Sequence, residues 1–304
     1  MIDDAIIYHV PVLLKESVDA LNIKTNGIYV DATYGGGGHS MEILSRLKDG
    51  KLIAFDRDSA AMDNLKNDKR LIFVNNNFRF MSNFLRYYNI GKVDGILADL
   101  GVSSHHFDES KRGFSFRFPE AALDMRMGQD SNLTAQNVLN TYSQNRLERI
   151  FREYGEIKHA GKLAHILTES RTQKNFASVA DLIEVIECLI PRSDRKQFLA
   201  KVFQSLRIEV NNEIASLKHF LKQTVNVLSP GGRLSVISYH SLEDRMVKNF
   251  IRTGNVEGHH FKDFYGNEIS PFTIVTKKAI VPDDNETGFN SRSRSAKLRA
   301  GERK

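Results

Sequence analysis

Short apolar runs, each closed by a polar residue, alternate with segments of helical period along the N-terminal third of the chain. Gly27-Ile28-Tyr29-Val30 reads as a buried strand ending in Asp31. Met41, Ile43, Leu44 and Leu47 share one helical face, and Gly50 closes that helix. Lys51-Leu52-Ile53-Ala54-Phe55 is a second strand and Leu71-Ile72-Phe73-Val74 a third. Val93 through Ala98 is a fourth, delivering Asp99-Leu100-Gly101-Val102-Ser103-Ser104 to its carboxyl end. The rhythm stops between His106 and Ser205. There Leu147, Ile150, Phe151 and Tyr154 form one helical stripe, and Leu163, Ile166 and Leu167 a second. Ala180, Ile183, Glu184 and Glu187 sit around a third helix that carries Cys188. Arg112–Phe116 and Leu123–Met127 read as ordered loops, being aromatic and charged without proline-serine tracts. The alternation resumes with an amphipathic helix from Asn212 to Leu228, the terminator Ser229-Pro230-Gly231-Gly232 and a fifth strand over Arg233–Ser238. Pro271–Ile280 holds an edge strand, and the tail Ser291–Arg299 is basic and serine-rich. The expected fold class is α/β, a doubly wound, Rossmann-like sheet with an inserted helical domain. The expected boundaries are 1–105 and 206–304 for the sheet domain and 106–205 for the insertion.

The first strand-to-helix turn, Asp31-Ala32-Thr33-Tyr34-Gly35-Gly36-Gly37-Gly38-His39-Ser40, carries the first chemistry. Glycines there allow positive φ and close approach of a ligand to the backbone. The dinucleotide fingerprint G-x-G-x-x-G fails, because its third glycine position is Ser40. A phosphate loop also fails, for want of a lysine after the first glycine. Acid, three residues, then G-x-G does fit, through Asp31, Gly35 and Gly37. This resembles the first motif of S-adenosylmethionine (SAM) methyltransferases. A ligand without phosphate lets Asp31 face its cationic methionine end. Helix, Pro-Gly-Gly, strand, common in such enzymes, supports the same reading at Pro230–Gly232 against a glycine turn of no function.

Asp56 and Asp58 follow the second strand, where such folds bond the ribose hydroxyls; Asp56 is nearer the strand end, while Asp58 suits a helix N-cap. Phe78 stacks beside an adenine or staples the next helix to the sheet. Asp99 ends the fourth strand, where a carboxylate can orient the acceptor and take its proton; a turn cap is the plainer alternative. His240, at the end of the fifth strand, is a candidate to hold substrate or shuttle a proton, against a purely structural loop histidine. The one cysteine, Cys188, excludes an internal disulfide, argues against a cysteine-based zinc site, and lies away from every strand end. Methylation of pyrimidine C5 needs a thiol nucleophile, so nitrogen or oxygen is the expected acceptor. A net charge of +6 favours a polyanionic partner. With no apolar run of membrane-spanning length and no signal-like N-terminus, the expected compartment is the cytoplasm, with no membrane partner.

From near its first residues to its tail the chain is similar to the MraW/RsmH family of ribosomal RNA small-subunit methyltransferases. The resemblance rests on His9–Leu14, Asp31–Ser40, Ala54–Asp58, Asp94–Ser104, Arg112–Phe116, Leu123–Met127, Phe203–Glu213, Pro230–Arg245 and Ser291–Arg299. Asp-Leu-Gly-Val-Ser-Ser and Ser-Tyr-His-Ser-Leu-Glu-Asp-Arg are its most specific parts. The resemblance implies transfer of methyl from SAM, leaving S-adenosylhomocysteine, to the exocyclic N4 of a cytidine in the decoding region of 16S rRNA. It implies SAM contacts from Gly37, Gly38, His39, Asp56, Phe78 and Asp99, and from His106, where the family often has glutamine. Because the insertion lies between the fourth and fifth strand ends, it is expected to wall the target-base pocket and, with the basic tail, to hold phosphates. The partner is small-subunit rRNA, naked or in an assembled subunit, and a homodimer is left open. Two other classes stay open at this point: a methyltransferase of proteins or small molecules, and a SAM-binding RNA chaperone without turnover.

Overall fold

The computed structural model describes residues 11–101, 111–128, 132–191, 193–266 and 268–304. The chain divides into two compact units, one of Met1–Gly101 with Ala215–Lys304 and the other of Val102–Ile214.

The first unit is built on a seven-stranded sheet in the order β3-β2-β1-β4-β5-β7-β6. Its strands are β1 (Ile28–Asp31), β2 (Lys51–Asp56), β3 (Leu71–Asn75), β4 (Val93–Asp99), β5 (Leu228–Ser238), β6 (Phe272–Ile274) and β7 (Lys297–Arg303). β1 to β5 pair in parallel, which explains their near-continuous apolar runs: such strands are covered on both faces. Tyr29, Val30, Ile53, Phe55, Ile96 and Leu97 are fully buried accordingly. The order reverses between β1 and β4, whose register pairs Asp31 with Leu97. Ligands of open α/β sheets bind outside the carboxyl ends at this switch point. α1 (Leu14–Asp19), α2 (Gly38–Arg46) and α3 (Met81–Tyr87) precede β4 in the chain. The expected Pro-Gly-Gly terminator forms a bulge instead: pairing of β4 with β5 jumps from Val93↔Leu228 to Gly95↔Arg233.

The basic tail is where the structure departs furthest from expectation. Lys297–Arg303 is β7, antiparallel to both β5 and β6, and it lies inside the sheet. Leu298 and Ala300 are fully buried. Arg299 Nε donates to Asp244 Oδ1 at 2.6 Å and Nη2 to Oδ2 at 3.2 Å, so this guanidinium is already held by a carboxylate. Burial pushes the Asp244 carboxyl up, but Arg299 and Lys297 outweigh it and hold it below its ordinary range.

The second unit is helical. Its elements are α4 (Ala135–Thr141), α5 (Gln144–Glu153), α6 (Ala160–Ser170), α7 (Val179–Ile186) and α8 (Arg195–Asn211). Thr134 and Ser178 open α4 and α7 with capping boxes closed by Asn137 and Asp181. Leu147, Ile150, Phe151, Leu163 and Leu167 meet Val202, Phe203, Leu206 and Val210 of α8 in one core. Phe114, Leu123 and Met125 join it, so the two expected loops are packed structure. Cys188 lies past α7, exposed in a short 3-10 turn over Glu187–Leu189. The expected boundary at 205/206 falls inside α8. That helix stays with the insertion because its apolar face runs from Leu199 to Val210, and the sheet unit resumes at Ala215 within α9 (Glu213–Val227). α10 (Ser241–Thr253) and α11 (Asp284–Phe289) complete the described helices.

Candidate active site

Three carboxylates mark the carboxyl ends of adjacent strands: Asp31 on β1, Asp56 on β2 and Asp99 on β4. Asp31 is fully buried. One of its oxygens accepts from Thr33 N at 3.0 Å and the other from Ser40 Oγ at 2.6 Å. Burial raises its pKa, and the Ser40 and Thr33 bonds oppose that shift. The expectation that it faces a ligand's cationic end is therefore revised. Both oxygens tie the start of the glycine loop to the first turn of α2. Thr33 extends the link to the next strand, accepting from Asp99 N at 2.7 Å.

The loop itself is held open by glycine. Gly37, the N-cap of α2, has φ +80°, and a Cβ there would lie 2.7 Å from Tyr34 Oη. A Cβ on Gly38 would meet Pro11 Cγ at 2.1 Å. Gly35, at φ +52°, has nothing within 4 Å of such a Cβ, and its N–H donates to Asp56 Oδ2 at 2.7 Å. Asp56 Oδ1 accepts from Asp58 N at 2.8 Å, while Asp58 caps the following turn through Ala60 N at 3.1 Å. The cap thus falls on Asp58. Phe78 is half-buried against the sheet core, its ring edge-on to Phe220 of α9 at 5.1 Å.

Asp99 is the chemical centre of this cluster. Its side chain is 15% exposed; Oδ1 accepts from Tyr239 Oη at 2.8 Å, and Oδ2 lies 3.9 Å from His39 Nδ1. Nε2 of the same buried histidine sits 3.2 Å from the Val12 carbonyl and donates to it, which turns Nδ1 toward Asp99. The Asp99 carboxyl is pushed up to about 6. Burial is the largest cause, His39 and the Tyr239 bond pull the value back, and the negative charges of Asp31 and Glu243 add to it. Burial and the Asp99 charge raise the Tyr239 phenol well above its ordinary value, so it remains a donor. A buried acid titrating near neutrality at a sheet edge is the environment of a general base.

Tyr239, and not His240, is the side chain from the end of β5 that reaches Asp99. His240 caps α10: Nδ1 accepts from Glu243 N at 3.4 Å, and Nε2 lies 3.2 Å from Glu243 Oε1, out of hydrogen-bond alignment. Glu243 in turn accepts from Tyr239 N at 3.1 Å, fixing the turn that aims the phenol. Sequence reasoning passed over Tyr239 and Thr33, though both lie in the segments singled out. The available signal was Gly101 after Asp99. Its φ of +143° and missing side chain admit the Tyr239 ring, which a Cβ would approach to 2.9 Å. His106, expected to contact the cofactor, lies outside the described residues.

A profile of the MraW methylase family matches residues 6–304. The chain belongs to the MraW methylase family. It is similar to the ribosomal RNA small subunit methyltransferase H of Bacteroides fragilis (strain YCH46), with 57% identity over 298 residues and 98% of each chain covered. The protein of that name from Flavobacterium johnsoniae is 53% identical over 297 residues, covering 97% of this chain and 98% of its own. Among solved structures, an rRNA methylase from Streptococcus thermophilus is similar over 97% of this chain and 98% of its own, with 12% identity and a TM-score of 0.42.

A member of this family is a SAM-dependent methyltransferase, and the site suits that donor. The glycine loop has no lysine to meet a phosphate, and Gly35 leaves open space beside the Asp56 carboxylate. Among the described residues no helix is long and apolar enough to cross a membrane.

Proposed function

We propose that this chain methylates the exocyclic N4 of a cytidine in the decoding region of 16S rRNA, with Asp99 as the group that receives the amine proton. The observation that carries the reading is the buried Asp99 carboxyl, pushed up to about 6 and held by Tyr239 at the sheet's switch point. The loop at Gly37, Gly38 and His39, with Asp56 and Phe78, would hold SAM. When bound, SAM supplies an electrophilic methyl on a sulfonium, the leaving group being the neutral thioether.

The residues of the chain do the rest. A cytosine amine is a weak nucleophile because its lone pair is delocalised into the ring. Removing its proton as the N–C bond forms keeps charge from building on the base. Tyr239 occupies Asp99 Oδ1 and leaves lone pairs on Oδ2 for the amine. Near pH 7 a carboxyl titrating at about 6 is mostly ionised, yet basic enough to receive a proton. His240 serves this reading through α10, whose first turn orients Tyr239. The target base must leave its stack, as expected for single-stranded or flipped nucleotides. The reading places the enzyme in the cytoplasm, with small-subunit rRNA.

The test is radiolabelled methyl transfer to small subunits and to naked 16S rRNA, both unmodified, followed by nucleoside analysis. Label in N4-methylcytidine is expected, and the better of the two substrates identifies the form of rRNA recognised. Label in protein alone, or SAM binding with no transfer to either substrate, would overturn the reading. Sedimentation of the active fraction decides between monomer and homodimer.

A further inference from the structure

The helical unit contains a cleft of about 730 Å³, formed by the turn before α6, the 3-10 turn at Glu187–Leu189 and the first half of α8. Its size is that of a small-ligand site. Leu163, Leu189 and Phe198 supply apolar lining, and Phe198 is half-buried on the core of the unit. Three ammonium groups stand around this lining: Lys158, Lys162 and Lys201.

Those lysines differ from six other cations of the same unit. Arg126, Arg146, Arg152, Lys174, Arg195 and Arg207 each pair with a carboxylate. None of the three cleft lysines does so among the described residues. Two carboxylates also line the cleft, Glu156 and Asp194, and Asp194 accepts from Ser193 Oγ at 3.4 Å. What sets the three lysines apart is that they converge on one cleft beside an aromatic, where together they can meet an anion. An aromatic face with cations beside it is how proteins hold single-stranded nucleic acid: the base stacks and the phosphates meet the charges.

We propose that this cleft binds an unpaired nucleotide of the rRNA substrate, with Phe198 against the base and Lys158, Lys162 and Lys201 on the flanking phosphates. The proposal rests on the rRNA-methyltransferase reading and adds a holding site to it, separate from the residues assigned to the chemistry. It also relocates phosphate contacts expected of the tail, since Arg299 is engaged by Asp244.

The experiment uses the full chain and unmodified 16S rRNA, with affinity measured across a salt series. In the Lys158→Glu/Lys162→Glu/Lys201→Glu variant, affinity should fall at least tenfold. The slope of log K against log salt should flatten by roughly 0.7 for each single-strand phosphate that the variant no longer neutralises. A control reversing Arg149, Arg152 and Lys174 carries the same change in net charge and should weaken binding far less. Phe198→Leu, which keeps an apolar side chain in the core, should lower affinity about tenfold with the salt slope unchanged. The SAM-induced thermal shift reports that each variant is folded. Wild-type affinity and slope in the cleft variant, or equal weakening in cleft and control variants, would overturn the proposal. Wild-type protein that neither binds nor methylates the rRNA would instead sink the functional reading on which it rests.

Discussion

At the switch point of the sheet, Asp31, Asp56 and Asp99 each accept hydrogen bonds from nearby backbone or hydroxyl groups, and Asp31 is wholly buried. In the cleft of the helical unit, Lys158, Lys162 and Lys201 line open space with no carboxylate partner among the described residues. The sheet site fixes its charges in advance, so substitutions there should act on the rate of a step and on donor binding. The cleft leaves its charges to the solvent, so substitutions there should act on affinity in a salt-dependent way. Substitutions in either region can break this division or sharpen it.

The largest effect is expected at Asp99. Asp99→Asn keeps the shape and can still accept from Tyr239, but it cannot take a proton. Single turnover at saturating SAM should fall by about 10²–10⁴-fold, the range for loss of a general base. Affinity for rRNA, which the comparison assigns to other groups, should hardly move. A folded Asp99→Asn protein turning over at nearly the wild-type rate would leave Asp99 a binding or structural residue.

Gly37→Val comes next. Its backbone at φ +80° and the contact with Tyr34 make any side chain strained, and the loop must shift to admit one. In wild type, SAM at ~100 Kd should add about 2.7 kcal/mol of stability. In the variant that gain should vanish. Thermal shifts with and without SAM decide it, and an undiminished shift would show that the loop is not the donor site.

How much of this was legible in the residues follows from what buries them. β1 to β4 read clearly because strands covered on both faces are unbroken apolar runs ending in a polar residue. β7 did not, because Lys297, Arg299 and Arg303 alternate with Leu298 and Ala300 in a segment whose charges dominate its composition. α8 was hidden in the same way: Arg195, Lys196, Lys201 and Arg207 surround its stripe of Leu199, Val202, Phe203 and Leu206. At the site, position in the fold is visible in sequence but direction is not. Asp31, Asp56 and Asp99 were found as acids at strand ends. That Asp31 turns inward to Ser40 and Thr33, and that Tyr239 reaches Asp99, depends on how the folded backbone aims each side chain.

Arg299 tests the limit of the comparison, being a cation of the sheet unit that composition alone would assign to RNA. Arg299→Gln leaves Asp244 without its closest partner and should cost about 1–3 kcal/mol of stability. The folded-state pKa of Asp244 is depressed. Its stabilising contribution is therefore present above the unfolded value and lost as pH falls through the folded one. The variant should accordingly show a weaker acid-side loss of stability than wild type, by urea titration at a series of pH values. Affinity for 16S rRNA and its salt slope should be unchanged. A flattened slope would return the tail to the RNA footprint.

The smallest expected effect concerns Tyr239 and is read on a pH axis. The Asp99 carboxyl is pushed up to about 6 against an unfolded value near 3.8, chiefly by burial, and the Tyr239 hydrogen bond opposes that shift. Two consequences of opposite sign follow. Methyl transfer needs the carboxylate, so the single-turnover rate should fall as pH drops through about 6. Burying the carboxylate costs stability above that pH, so the contribution of Asp99 to stability should rise over the same interval as the group takes up its proton. Tyr239→Phe removes only the hydroxyl. The carboxylate loses a donor, and the Asp99 midpoint should move upward, carrying both the acid limb of the rate and the stability slope with it. At pH 7 the rate should then fall several-fold, with part of the loss recovered at higher pH. A merely structural tyrosine would lower stability without moving the midpoint. Carboxyl carbon shifts of Asp99 in ligand-free protein, followed across the acid-to-neutral range, would measure the midpoint directly. Coincident titration curves in wild type and Tyr239→Phe would show that the phenol does not tune Asp99.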